Sequence, residues 1–325
     1  MPNELELWQF VVERLKRDEP IALLVVAESS GSSPGRAGYK MAVSADGELF
    51  GSIGGGVMEV NLVEQSRALL SEPRAVATGF LRPQLIEQVH QKNSPHASGM
   101  ICSGRQTVLL TTLTENDTHT IDAIINAFDS GRDAYMKISP NGITIEKEGG
   151  ACFSKKTDRE FSYTERLGHK HELYIIGGGH CSLALSELMS KLGFHITIFD
   201  DRPDLNTIEK NRFADEIRII ESYENIGAMI PAGSDSYVVV MTLGYASDEI
   251  AIRSLIHRDL KYFGVLGSNA KMSVLLRALE KEGFSADRIA KIRTPIGLPI
   301  NSHTPEEIAV SIAAEIISVK NARRF

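Results

Sequence analysis

Residues 173–201 read LYIIGGGHCSLALSELMSKLGFHITIFDD, and this stretch decides the fold of the second half of the chain. An apolar run leads into three glycines, a helical stretch follows, and a second apolar run ends in two aspartates. A strand, a glycine-rich turn, a helix and a second strand in this order are typical of the first half of a dinucleotide-binding unit. The stretch therefore predicts a Rossmann-like, doubly wound parallel sheet.

The rest of the chain divides around this stretch. Downstream, β-rich apolar runs at 237–241 and 262–265 alternate with helical segments, as expected for parallel strands joined by helices. Upstream, an amphipathic helical pattern is followed by strand and hairpin patterns without that alternation. We therefore expect an α/β protein with an N-terminal α+β domain at 1–168 and a Rossmann-like C-terminal domain at 169–325.

Composition excludes several classes of protein. The 325 residues are 42% hydrophobic and 24% charged, and the formal net charge is -7 without a cluster of Lys and Arg, which argues against a nucleic-acid partner. The N-terminus lacks the pattern of a signal peptide and no apolar run reaches spanning length, so we expect a cytoplasmic protein without a membrane partner. The three cysteines are widely separated, which disfavours a disulfide framework or a structural zinc site.

The glycine turn of the second domain is the first candidate site. Gly177, Gly179 and the position of Ser182 fit the spacing of a turn that brings a pyrophosphate close to a helix N-terminus. His180 could donate to a ligand or act as an acid or base, or it could merely cap local backbone. Asp200 or Asp201 ends the second strand, where an NAD site places a carboxylate on the ribose. The alternative is that the glycines only permit tight packing of helix on sheet.

The N-terminal domain holds a second glycine-rich turn. Gly54, Gly55 and Gly56 stand between a predicted strand and a predicted helix, where their amides could face an anion. Glu59 falls in the first turn of that helix, a position that the helix dipole favours by itself.

A polar loop at 29–38 precedes this turn in the sequence. The hydroxyls of Ser32 and Ser33 could bind a ligand, and Arg36 could clamp a phosphate or a carboxylate, or simply be solvated.

Two further residues have chemistry suited to a cofactor. Cys102 precedes a predicted strand, where an exposed thiolate would suit a soft metal, although taken by itself a small buried thiol is the better interpretation. Lys271 follows the strand that ends at Val265, so it should lie at the carboxyl edge of the sheet, which is the usual ligand crevice.

Taken together and in order, these motifs resemble the XdhC/CoxI family of xanthine dehydrogenase accessory proteins. The resemblance extends over nearly the whole chain. The segments that carry it are Gly31-Ser32-Ser33-Pro34, Gly51 to Glu59, Cys102-Ser103-Gly104, Gly177-Gly178-Gly179-His180, Asp200-Asp201-Arg202-Pro203, Gly267-Ser268-Asn269-Ala270-Lys271, and Ile296 to Ile300 followed by Pro305 to Ala309.

The resemblance implies a chaperone for the molybdenum cofactor, either molybdopterin or its dinucleotide form. Such a protein binds the cofactor, protects it during sulfuration and delivers it to a molybdenum hydroxylase such as xanthine dehydrogenase. It further implies a cofactor sulfurase as a partner, a homodimer, and Cys102 as the metal ligand. The residues expected to bind the cofactor are Ser32, Ser33, Arg36, Gly54, Gly55, Gly56, Glu59, Gly177, Gly179, His180, Asp200 and Lys271.

Two other functions remain open from the sequence. A dehydrogenase using NAD(P) is suggested by the Gly177 turn together with Asp200, and a purely structural component of a hydroxylase complex would need no small ligand. We find no recognisable catalytic constellation in the sequence, which favours a binding protein over an enzyme.

Overall fold

The computed structural model describes residues 4–71, 83–89, 104–130, 134–168 and 171–322. The chain forms two compact units, Met1–Gly168 and His169–Phe325. The prediction of an α/β protein whose second domain is a doubly wound parallel sheet is confirmed. Among the described helices, none is both long enough and apolar enough to cross a membrane.

The N-terminal unit is built from two antiparallel sheets and three described α-helices. The helices are α1 (Glu4–Leu15), α2 (Gly56–Leu70) and α3 (Thr118–Ser130). The larger sheet has the order β3-β2-β1-β5-β4 and the smaller one β7-β6-β9-β8. Their strands are β1 (Ile21–Gly31), β2 (Lys40–Ser44), β3 (Leu49–Gly51), β4 (Gln84–Val89), β5 (Gly104–Leu113), β6 (Tyr135–Ser139), β7 (Gly142–Glu146), β8 (Cys152–Thr157) and β9 (Glu160–Arg166).

Strand β1 is the centre of this unit and is buried on both faces over its first seven residues. Because side chains alternate along a strand, Leu23 and Val25 belong to the core that contains Trp8, while Leu24 and Val26 belong to the core that contains Met58. A strand covered on both sides needs a continuous apolar run rather than an alternating one, and residues 21–27 provide it.

Strand β1 also runs further than its composition suggests. The polar loop predicted at 29–38 begins as strand, because Ser29 to Gly31 pair with Gln106 to Gly104 of β5 after a bulge near Ala27. Backbone pairing with a long neighbouring strand here outweighs the turn preference of serine and glycine.

The C-terminal unit is one parallel sheet with helices on both faces. Its strands are β10 (Glu172–Ile176), β11 (His195–Asp200), β12 (Glu216–Ile219), β13 (Gly233–Val240) and β14 (Leu260–Val265), in the order β12-β11-β10-β13-β14. The described α-helices are α4 (His180–Ser190), α5 (Asn206–Glu209), α6 (Ile226–Met229), α7 (Tyr245–Leu255), α8 (Asn269–Lys281), α9 (Ala286–Ile289) and α10 (Pro305–Asn321). Helix α10 starts at a capping box formed by Thr304 and Glu307.

The strand order reverses between β10 and β13, which fixes where a ligand would bind. In open α/β sheets the crevice lies outside the carboxyl ends of the strands at such a reversal. The turn after β10 and the loop after β13 are neighbours at this point, since Ile176 pairs with Val240. The Gly177 turn therefore lies at the topological switch point.

Candidate functional site

In the glycine turn at the switch point, Gly177 packs tightly against the neighbouring loop, whereas the space beside Gly179 is open. Gly177 has φ +109°, and a Cβ there would lie 2.4 Å from the carbonyl oxygen of Met241, so only glycine fits. Gly179 is the N-cap of α4, has φ −71°, and has no heavy atom within 4 Å of a Cβ placed on it. A ligand can therefore approach the backbone of the turn closely at Gly179.

Asp200 is fully buried beside this turn. Its Oδ2 accepts hydrogen bonds from the Gly178 amide at 2.6 Å and from Arg202 Nη2 at 2.8 Å. Its Oδ1 accepts from the Arg202 amide at 2.9 Å and from Arg202 Nε at 2.8 Å. Burial alone would raise the pKa of Asp200, but the bonds from Arg202 and Gly178 outweigh burial and hold the pKa below its usual value.

These contacts give Asp200 a different environment from the one expected at an NAD site. A ribose diol needs an accessible carboxylate oxygen, whereas both oxygens of Asp200 are directed to the chain's own donors. Sequence reasoning missed Arg202, whose side chain is 32% exposed and forms the bidentate contact. The signal that could have found it is a basic residue two positions after a strand-ending aspartate.

A second buried carboxylate stands on the other side of the switch point. Asp248 lies in the first turn of α7 and is 2% exposed. It accepts hydrogen bonds from the Thr242 amide at 3.0 Å and the Thr242 hydroxyl at 2.6 Å, and it forms an ion pair with Lys271 Nζ at 2.9 Å. Lys271 lies at the carboxyl edge, as predicted, with its ammonium 5.9 Å from the centre of the Tyr245 ring.

Asp248 was missed as a functional candidate because its partners are not visible from local sequence. The two buried aspartates are built alike: each accepts from a backbone amide in a turn that follows a strand, and each holds one basic side chain. Arg202 and Lys271 are thereby fixed on opposite sides of the switch point, each about a third exposed.

His180 is exposed at the start of α4. Within the described ranges its imidazole forms no hydrogen bond or ion pair with another residue. It therefore neither caps the turn nor has a carboxylate partner there, and a direct role toward a ligand stays a prediction.

In the N-terminal unit, Glu59 accepts hydrogen bonds from the backbone of the glycine-triplet turn. Its Oε2 accepts from the Ser52 hydroxyl at 2.7 Å, the Ile53 amide at 2.8 Å and the Gly55 amide at 2.9 Å. The Gly54 amide donates to the Ser52 hydroxyl at 3.1 Å. Two of the amides that we expected to face an anion are thus bound by the chain's own oxygens.

Gln106, which sequence reasoning also missed, joins this turn to the polar loop. It is fully buried on β5, and its Oε1 accepts from the Ser33 hydroxyl at 2.7 Å while its Nε2 donates to Met58 Sδ at 3.1 Å. Ser33 is therefore a buried support of the loop. A glutamine two positions before the apolar run Val108 to Leu110 was the available signal.

The remaining candidates of the polar loop lie at its surface. Ser32 is exposed, and Arg36 is exposed with Nη1 donating to the Gly31 carbonyl at 3.2 Å. Glycine allows this loop and the triplet to touch, since a Cβ on Gly54 would lie 2.4 Å from the Gly35 amide nitrogen.

The predicted metal ligand, Cys102, lies outside the described residues. Among the residues that the structure describes, no three His, Cys, Asp or Glu side chains are arranged to hold a metal ion.

Comparison with family models gives two matches. Residues 14–79 match the model described as the XdhC and CoxI family, and residues 173–316 match the XdhC Rossmann domain. Together the matches cover almost two thirds of the chain and include the glycine triplet, the Gly177 turn, Arg202 and Lys271.

Curated proteins from two bacteria are similar over nearly all of this chain. It is 28% identical over 306 residues to the uncharacterized protein YqeB of Escherichia coli (strain K12), covering 93% of this chain but 44% of that longer protein. It is 24% identical to a protein of Bacillus subtilis (strain 168) named as a probable xanthine dehydrogenase subunit, covering 94% and 95% of the two chains. It is 20% identical to the molybdenum cofactor insertion chaperone PaoD of Escherichia coli (strain K12), covering 96% and 87%.

A solved structure has the same fold. The crystal structure of a xanthine dehydrogenase from Bacillus halodurans matches with a TM-score of 0.74 and 22% identity, over 99% of this chain and 97% of that one.

Proposed function

This chain belongs to the XdhC and CoxI family, and on that premise we propose that it binds the molybdenum cofactor and delivers it to a molybdenum hydroxylase of the xanthine dehydrogenase type. The observation that carries the proposal is the carboxyl edge of the parallel sheet. There the open backbone at Gly179 lies between two anchored cations, Arg202 and Lys271. The similarity to a molybdenum cofactor insertion chaperone over most of both chains supports the same cargo.

The described residues fit the phosphate end of such a cargo. A pterin with a terminal phosphate, or its dinucleotide form, needs backbone amides at a helix N-terminus and cations with unused donors. Helix α4 begins at the open Gly179, and both cations keep part of their surface exposed. For the metal end we propose Cys102, whose thiolate is a soft ligand suited to molybdenum.

The finer parts of the proposal concern partners and place. We propose that the protein shields the cofactor while a sulfurase acts on it, and that it works as a homodimer in the cytoplasm. Size-exclusion chromatography with light scattering measures the oligomeric state, and a mass of one chain would contradict the dimer. Copurification of the sulfurase and of the hydroxylase with the tagged protein tests the two partners separately.

The dehydrogenase alternative receives less support from the geometry. It needs Asp200 or Asp201 as the ribose acceptor. Asp200 is fully buried with both oxygens bound by Gly178 and Arg202, and Asp201 Oδ1 accepts from the Tyr223 hydroxyl at 3.1 Å. We therefore propose the binding function, and we keep NAD(H) as a control ligand in its test.

The experiment is anaerobic purification from cells that make molybdopterin, with molybdenum analysis and pterin fluorescence on one sample. We expect molybdenum and pterin in near-equal amounts. Gly179→Asp should reduce both by about tenfold or more, equivalent to ~1.4 kcal/mol, because a carboxylate at the helix N-terminus repels a phosphate.

Gly179→Asn is the matched neutral control. Position 179 has φ −71° and open space for a side chain, and both Asp and Asn are favoured at an N-cap, so both variants should fold. Protein that copurifies with neither molybdenum nor pterin, and fails to bind added cofactor, would contradict the proposal. Binding of NAD(H) with hydride transfer in that protein would favour the oxidoreductase.

A further inference from the structure

The hydrogen bonds of Asp200 limit what the end of β11 can bind. An ionised carboxylate offers about four lone-pair sites. The Gly178 amide and three nitrogens of Arg202 donate four hydrogen bonds to this one, at 2.6 to 2.9 Å. A ribose diol placed at this strand end would therefore find no unused acceptor on Asp200.

Arg202, by contrast, has unused N–H donors that a ligand could accept from. A guanidinium carries five N–H groups in a fixed fork. Its Nε and Nη2 bind Asp200, and Asp201 Oδ1 lies 3.8 Å from Nε, while Nη1 donates to no group in the described part of the chain and the side chain is 32% exposed. The buried partner holds the fork in one orientation, so that little side-chain entropy remains to be lost when a guest binds.

The fork is also close to the glycine turn. Oδ2 of Asp200 accepts from both Gly178 N and Arg202 Nη2, so the guanidinium and the turn share one acceptor atom. The carboxylate that would repel an anion at the turn is neutralised by this contact. The unused N–H groups of Arg202 thus border the place where a ligand enters, while its charge is balanced by Asp200.

We propose that Arg202 is the specificity-determining residue of this edge, and that it selects a guest with a phosphate group over one with an unsubstituted ribose diol. The inference rests on the proposed function, in which that phosphate is the terminal phosphate of the pterin cargo. A phosphate accepts charge-assisted, often bidentate hydrogen bonds from arginine, whereas a diol needs the acceptor that Asp200 no longer offers.

The test compares ligands that differ by one phosphate. Isothermal titration on the full chain measures NADP⁺ against NAD⁺, and the oxidised fluorescent pterin of the molybdenum cofactor before and after phosphatase treatment. In wild-type protein we expect the phosphorylated member of at least one pair to bind at least tenfold more tightly. Arg202→Gln should bring that ratio to about one, and Lys210→Gln, an exposed cation in the same unit, should leave it unchanged.

Arg202→Lys is the control for misfolding, because lysine keeps a positive charge beside Asp200 and lacks only the planar guanidinium. We expect it to unfold at the wild-type temperature with a ratio between those of wild type and Arg202→Gln. If both ratios in wild type are near one, if neither pair binds, or if both substitutions leave the ratio unchanged, the inference is wrong.

The two proposals fail in different ways. If the protein retains molybdenum and pterin in cells but shows no phosphate preference, the proposed function stands and the proposed role of Arg202 is wrong. If the protein shows the preference, and Arg202→Gln abolishes it, but the protein never carries molybdenum, the role of Arg202 stands and the proposed cargo is wrong.

Discussion

At the scale of single residues, carboxylates that close backbone turns shape both glycine-rich segments. Asp200 binds the Gly178 amide, Asp248 binds the Thr242 amide, and Glu59 binds the Ile53 and Gly55 amides. In the C-terminal unit each carboxylate also holds a cation, whereas Glu59 has only neutral donors. The amides of the glycine triplet are therefore bound by the chain's own Glu59, whereas the Gly177 turn is flanked by two carboxylate–cation pairs whose basic side chains remain about a third exposed.

Glu59→Ala should destabilise the N-terminal unit. The substitution leaves the Ile53 and Gly55 amides and the Ser52 hydroxyl without their acceptor, at a cost of about 1–3 kcal/mol in the free energy of unfolding. The single tryptophan, Trp8, is fully buried in this unit, so its fluorescence during urea unfolding reports the change.

Glu64→Ala is the control on the same helix, since Glu64 is exposed and should change stability by no more than about 0.5 kcal/mol. Equal unfolding curves for the two variants would show that Glu59 does not hold the turn.

At the scale of elements, the parallel strands β10 and β11 are joined at their starting ends by an ion pair. His195 Nδ1 lies 2.9 Å from Glu172 Oε2, and the two residues are register partners. The hydrogen bond to Glu172 raises the pKa of His195, burial opposes it, and Asp215 and Glu216 add to the rise. The charged form of the histidine is thus favoured in the folded state.

This pair should make the stability of the C-terminal unit depend on pH. Below about 6.5, the usual pKa of histidine, both folded and unfolded states are protonated and the stabilisation is complete. It is lost as the pH rises through the raised pKa of folded His195. Urea unfolding followed by circular dichroism from pH 6 to pH 9 should show this decline.

Glu172→Gln should flatten the decline, because it removes the carboxylate that favours the charged imidazole. His119→Gln, at an exposed histidine of the other unit, should leave it unaltered. A wild-type unit whose stability rises over this interval would show the assigned sign to be wrong.

At the scale of the whole molecule, each unit has hydrophobic clusters of its own, and the N-terminal unit also contains a buried charge cluster. Lys40 on β2 is 3% exposed and contacts Glu4 of α1 at 2.6 Å and Glu165 of β9 at 2.7 Å. Tyr163 donates to the same Glu165 at 2.7 Å. Burial disfavours the charged ammonium, but the two carboxylates outweigh it and raise the pKa of Lys40 above its usual range.

Lys40→Met should unfold the N-terminal unit more readily by about 3–5 kcal/mol, because it leaves Glu165 buried without its cation. Trp8 fluorescence in urea measures the loss. Lys16→Met removes an exposed pair with Asp122 and should cost about 0–1 kcal/mol. The prediction fails if the two substitutions have the same effect.

The sequence by itself determined the features that depend on neighbours within one element or turn. The apolar run at 173–176, the glycine turn after it and the cap at Thr304 each use residues within a few positions, and the structure shows all three. The motifs that carry the family resemblance are also local, and the family models match both halves of the chain.

Only the tertiary structure decided which side chains meet across elements. Gln106 binds Ser33 from 73 positions away, and Lys40 meets Glu165 because two sheets pack in one unit. Asp200 lies at a strand end, as its sequence position indicates, but its contacts with Gly178 and Arg202 appear only in the folded chain. Such contacts depend on strand order and on packing, which fix the distances between residues far apart in the chain. Local sequence patterns do not determine those distances.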